Sequence, residues 1–166
     1  MFLDKNKSKL NKKNHMEFII DKLTTKKFIR ITYMEAIDIL NKLILDKKRK
    51  LNLSKRVQIN YGDDINKEQE KLLVEYFDQT PTFVTNYPKS MKPFYMRQND
   101  QDTRLVDNFD LLAPFVGEIV GGSNREYRLD ILIESIKNQN LNINLFNDYL
   151  NSKKYGGMKM GGFGNN

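Results

Sequence analysis

At 166 residues with a hydrophobic share of 39%, the chain suits one domain with a core of its own. The absence of cysteine excludes a disulfide framework and a thiolate metal site, and the net charge of +7, from 28 Lys and Arg against 21 Asp and Glu, is compatible with a polyanionic partner such as tRNA. No apolar run approaches the roughly 18 residues that span a bilayer, and the leader MFLDKNKSKLNKKNH lacks both the hydrophobic centre of a secretory signal and the arginines of a mitochondrial presequence, so the expected location is cytoplasmic with no membrane contact.

Residues 1–27 form a basic segment expected to be flexible, and much of the excess charge sits in two runs, Lys5 to Lys13 and Lys47 to Lys55, that read as solvated. His15 lies in this polar tail without Cys or His neighbours, which argues against a ligand or general-base role. Thr32 and Glu35 have capping-box spacing ahead of Ile37, Leu40, Leu43 and Ile44, which predicts a helix from about Thr32 to Leu45. A second helix is predicted over Asn66 to Asp78, and the acidic residues Asp63, Asp64, Glu68 and Glu70 fit its N-terminal dipole better than a metal site. Short strands are predicted at Phe83 to Thr85, Phe94 to Gln98, Val106 to Leu112 and Glu118 to Ser123, separated by turn residues. Glu126 to Lys137 predicts the clearest helix, and Ile143, Phe146 and Leu150 a shorter one. The expected class is α+β, a partial antiparallel sheet with flanking helices.

The run Phe109 to Glu126, FDLLAPFVGEIVGGSNRE, carries the chemistry. Asp110 and Glu118 are hard oxygen ligands of the kind Mg²⁺ takes when it also keeps waters and nucleotide phosphates. Gly121 and Gly122 remove side chains that would stop a ligand lying flat on the backbone. Arg125 adds a planar, permanently charged fork suited to a carboxylate, an amide oxygen or a phosphate. The glycine-rich end, Gly156 to Gly164, has no following Lys-Ser/Thr and is not a P-loop.

Five blocks in order, RITYMEAIDIL (Arg30 to Leu40), YGDDINKEQEKLL (Tyr61 to Leu73), FVTNYPKSMKPFYMR (Phe83 to Arg97), the run above and YGGMKMGGFG (Tyr155 to Gly164), resemble the C-terminal part of the catalytic domain of asparaginyl-tRNA synthetase, a class II aminoacyl-tRNA synthetase. The resemblance implies a class II catalytic core over residues 28–166. It also implies ATP, asparagine and tRNA as partners, and Mg²⁺ held with ATP by Asp110 and Glu118. Gly121, Gly122 and Ser123 would line the nucleotide. Lys92 and Arg125 would face the amino-acid side chain, with Tyr87, Pro88, Phe94 and Tyr95 as pocket walls.

Measured against the family, the chain is expected to lack the OB-fold, motifs 1 and 2 and most of motif 3, because Phe163 and Gly164 are followed only by Asn165 and Asn166. Missing motif 1 argues against the family's homodimer. Gln69 stands where the family usually has histidine, and Met160 where histidine normally precedes the last glycine block. The expected function is therefore a truncated asparaginyl-tRNA synthetase-like protein with impaired or no activity alone. The alternative is a non-catalytic relative that binds tRNA, a nucleotide or a synthetase.

Overall fold

A computed structural model describes residues 16–18, 20–22, 24, 25, 27–45 and 58–165. The two lysine-rich runs and His15 lie outside these residues. The described part of the N-terminal segment is helical at 16–18, 20–22, 24 and 25, and Lys22 is buried there with its ammonium donating to the Asp78 carbonyl at 2.8 Å.

Strand β1 (Ile29–Thr32) leads directly into helix α1 (Tyr33–Leu45), and helix α2 (Lys67–Tyr76) precedes β2 (Thr82–Thr85). The Thr32 capping box forms as its spacing predicts: the Thr32 backbone N–H donates to the Glu35 carboxylate at 2.7 Å and the Glu35 N–H to the Thr32 hydroxyl at 3.2 Å. Asn66 and Gln69 make a second capping box at the start of α2. Gln69, buried, accepts the Asn66 N–H at 2.9 Å, so the glutamine has a local structural use. Glu68 and Glu70 lie in the first turn of α2, where the dipole favours them.

Strands β3 (Asn108–Ala113), β4 (Gly117–Arg125) and β5 (Met160–Asn165) complete a five-stranded sheet in the order β1-β2-β3-β4-β5. Helices α3 (Leu129–Asn138) and α4 (Asn147–Lys154) intervene before β5. The α+β class holds, but the sheet is mixed rather than antiparallel throughout. Its first pair, β1 and β2, is parallel, because the long connection through α1 and α2 returns the chain in the same direction. Phe94 to Gln98 is a correction: it forms only isolated bridges, Met96 to Arg125 and Gln98 to Val106, because its backbone bonds alternate between two different neighbours. The third helix begins at Leu129, not Glu126, since the Glu126 side chain is committed to a buried ion pair with Arg128.

Side chains paired across neighbouring strands project to one face, and residues two apart along a strand share it. On one face Ile31, Val84 and Leu112 meet Tyr33, Ile37, Leu40, Leu73 and Val74 of α1 and α2 in the main core. Leu132, Ile136 and Leu150 form a second cluster between α3 and α4. The opposite face is aromatic and open. Phe28, Phe83 and Phe109 follow one another with ring centroids 5.9 and 5.6 Å apart, and Phe163 continues the row at 75% exposure.

Candidate functional site

The register fixes which predicted residues share a face. Asp110 pairs with Gly121, Asn108 with Ser123 and Leu112 with Glu118. Glu118 and Gly121 are three positions apart, so strict alternation would send them to opposite faces. A bulge in β4, where Glu118 and Val120 oppose the adjacent residues Leu112 and Leu111, turns Glu118 onto the face of Asp110. Arg125, two residues beyond Ser123, joins them. Gly122, opposite Phe109 and Phe163, belongs to the aromatic face instead.

The space between the carboxylates depends on Gly121. A Cβ at that position would stand 2.7 Å from Glu118 Oε1 and 3.4 Å from Asp110 Oδ1. Asp110 Oδ2 accepts from the Lys92 ammonium at 3.0 Å, and that ammonium stands 3.8 Å from the centre of the buried Tyr87 ring. Burial, the Asp110 charge and a hydrogen bond to Asp110 all push the Tyr87 phenol above its ordinary range, so it remains a neutral partner of the carboxylate. Arg104 pairs with Asp102 and not with Asp110.

Arg125 lies over the Tyr95 ring, its guanidinium carbon 4.6 Å from the centroid, and donates to Ser123 Oγ at 3.2 Å. Phe94, Tyr95, Phe146, Tyr149 and Met160 surround it in a cleft of about 560 Å³. Neighbouring Glu126 pairs with Arg128 rather than Arg125. The larger cleft of about 1020 Å³, lined by Phe28, Arg30, Phe83, Phe109 and Phe163, is on the aromatic face, away from Asp110 and Glu118.

Two residues have supporting roles that the sequence did not assign them. Glu70 of α2 accepts the Glu118 backbone N–H at 2.9 Å and so holds the bulged end of β4. Burial pushes its carboxyl above the ordinary glutamate range, and the charge of Asp110 adds to this. Glu126 is fully buried; its carboxylate accepts from Arg128 Nη2 and Nε, both at 2.8 Å, and from the Gln98 N–H at 3.1 Å. Burial alone would raise its carboxyl, but the bonds from Arg128 and Gln98 outweigh it and leave the group below its ordinary value. This pair ties the segment bearing Phe94 and Tyr95 to the end of β4.

Among the described residues no group of three or more His, Cys, Asp and Glu side chains is arranged to hold a metal ion. The donor set is thus two carboxylates, which fits Mg²⁺, an ion that keeps waters and phosphates in its shell and needs no full protein cage. No described helix is long and apolar enough to cross a membrane.

A family model described as class II tRNA synthetases (D, K and N) matches residues 2–165. The asparagine–tRNA ligase of Mycoplasma mycoides subsp. mycoides SC is 43% identical over 149 residues, covering 88% of this chain and 32% of the relative. Among solved structures, asparaginyl-tRNA synthetase from Pyrococcus horikoshii complexed with asparaginyl-adenylate is similar at a TM-score of 0.71 and 38% identity, over 91% of this chain and 33% of that one. The Entamoeba histolytica asparaginyl-tRNA synthetase is similar at a TM-score of 0.73 and 34% identity, over 90% and 34%. The chain spans about a third of the length of these relatives.

Proposed function

The chain belongs to the class II tRNA synthetases of the D, K and N group and is asparaginyl-tRNA synthetase-like, and from that premise we propose that the Asp110, Glu118 and Arg125 face binds Mg²⁺ with ATP beside asparagine. The observation that carries the reading is the shared face: two carboxylates flank the space that Gly121 leaves, and a guanidinium follows on the same strand.

Asp110 and Glu118 would hold Mg²⁺, which when bound neutralises charge as it gathers on departing pyrophosphate. Gly121 gives the nucleotide a stretch of strand without a side chain, followed on the same face by Ser123, while Gly122, expected beside them, lies on the opposite face. Ser123 also steadies Arg125, whose guanidinium lies by the Tyr95 ring and fills the space that a Cβ at Gly162 of β5 would need. In this position Arg125 faces the amino acid, with the aromatic cleft excluding water around it. Lys92, the second cation proposed for the amino acid, reaches it only after leaving Asp110. In the whole enzyme, asparagine's carboxylate would attack the ATP α-phosphate, and the asparaginyl group would then pass from the adenylate to tRNA. Within this chain the contribution is positioning and charge neutralisation, with no covalent protein intermediate. The proposed location is cytoplasmic, and the proposed organisation is a catalytic portion over 28–166 preceded by a basic segment.

A non-hydrolysable asparaginyl-adenylate analogue, titrated with Mg²⁺ into the purified chain, tests this. Saturable binding is expected, weakened at least about tenfold by Asp110→Asn or by Arg125→Ala, comparable to loss of a supporting metal or charge contact. Binding unchanged by both substitutions would overturn the reading. ATP–pyrophosphate exchange by the chain alone is expected to stay at background, since it spans about a third of the length of its relatives and removing even one charge-stabilising donor from a site costs about 10²- to 10³-fold.

A further inference from the structure

Lys92 is built into the site more firmly than a solvent-exposed lysine would be. Its side chain is 19% exposed and that of Asp110 is 13% exposed, and the two meet at 3.0 Å. The Tyr87 ring backs the ammonium at 3.8 Å, and the Lys92 backbone carbonyl accepts the Gln139 side-chain amide at 2.9 Å, which anchors the segment to the end of α3. The carboxylate that would take a divalent cation is thus already paired with a cation of the chain. A doubly charged ion and an ammonium sharing one carboxylate repel each other strongly where water is scarce. Ion entry therefore requires Lys92 to move, and a displaced ammonium needs a new anion in reach. A bare cation brings none. A polyphosphate supplies several oxygens, and lysine's flexible stem and compact charge suit them.

We propose that Lys92 is a resident cation at Asp110 that yields to a divalent ion only when that ion arrives with a polyphosphate, so that this face selects metal–nucleotide over free metal. The proposal rests on the reading of Asp110 and Glu118 as metal ligands. It assigns Lys92 a positioning and selecting role that precedes any contact with the amino acid.

The test uses the full chain and Mn²⁺ as a paramagnetic probe, titrated alone and with ATP, in the native sequence and in Lys92→Gln, Lys92→Arg and Lys67→Gln. Lys67, in the first turn of α2 near Glu70, reports the effect of deleting a nearby positive charge in general. For Lys92→Gln the expected result is a gain of at least about tenfold for Mn²⁺ alone with no gain for Mn²⁺ and ATP together, the scale on which groups beside metal ligands act. Lys92→Arg, which keeps a cation against Asp110 and guards against a failure of Lys92→Gln to fold, is expected to bind free Mn²⁺ as weakly as the native chain. Equal free-Mn²⁺ affinity in the native chain and Lys92→Gln, or the same gain in Lys67→Gln, overturns the proposal while leaving the metal site standing. If Mn²⁺ binds none of the proteins with or without ATP, both the site reading and the proposal fall.

Discussion

Gly121 separates function from stability at a single position. Alanine there would place its Cβ 2.7 Å from Glu118 Oε1, the mobile end of a side chain that can swing away, while relieving the entropic cost of glycine inside a strand. Gly121→Ala is therefore expected to melt at or slightly above the native temperature, yet to bind Mg²⁺ with ATP at least about tenfold more weakly because the carboxylate is displaced. Calorimetry of melting and of binding on the same sample reads both halves. Glu126 is the opposite case, a residue whose loss harms the fold first. Its carboxylate is fully buried, while Arg128 is partly exposed and keeps Asp100 as a second partner, so Glu126→Gln is expected to destabilise by about 1–3 kcal/mol in a denaturant titration, the cost of weakening hydrogen bonds to a buried charged group. The sequence singled out Asp110, Glu118, Gly121 and Arg125 for the candidate site, and the strand register puts all four on one face. The attachment of Lys92 to Asp110 was not, because 18 residues and several turns separate them and no local pattern brings them together.

At the scale of elements, the helix starts were legible because capping is local. Asn66→Ala removes the side chain that accepts the Glu68 and Gln69 N–H groups and is expected to cost about 1 kcal/mol. The strands were legible only where apolar residues alternate. β5 has three glycines among six residues, MGGFGN, and β1 has only four residues, the last of them the capping Thr32, so neither shows a strand period. The bulge in β4 was hidden for a related reason: alternation alone puts Glu118 and Gly121 on opposite faces, and only pairing with β3 reveals the extra residue. That bulge is held from α2 by Glu70, whose carboxyl lies above its ordinary range. A raised carboxyl binds its proton more tightly in the folded state, so its contribution to stability is largest below the ordinary glutamate range and declines as pH rises through the shifted value. Glu70→Gln is expected to abolish that decline: melting temperatures measured from about pH 4 to pH 7 should fall less with rising pH than in the native chain. An unchanged pH profile would show that Glu70 ionises as it would in water.

For the molecule as a whole, the sheet's two faces have different fates. One is packed by α1 and α2, the latter reaching β4 through the bond from the Glu118 N–H to Glu70, and carries the carboxylates and Arg125; the other presents Phe28, Phe83, Phe109 and Phe163. Phe163→Ser, at a side chain 75% exposed, is expected to change stability by less than about 0.5 kcal/mol while lowering the binding of a hydrophobic dye. The predicted run of helices and strands pointed to the α+β class, but it could not show that the sheet is mixed, because the direction of β1 is decided by a connection of about fifty residues rather than by β1 itself. The central claim is that the metal–nucleotide site lies on the carboxylate face. The most direct measurement is a backbone NMR titration of the chain with Mg²⁺ and ATP. The expected result is saturable shifts at Asp110, Glu118, Gly121, Ser123 and Arg125. Shifts confined to Arg30, Phe83 and Phe163, or no shifts at all, would contradict it.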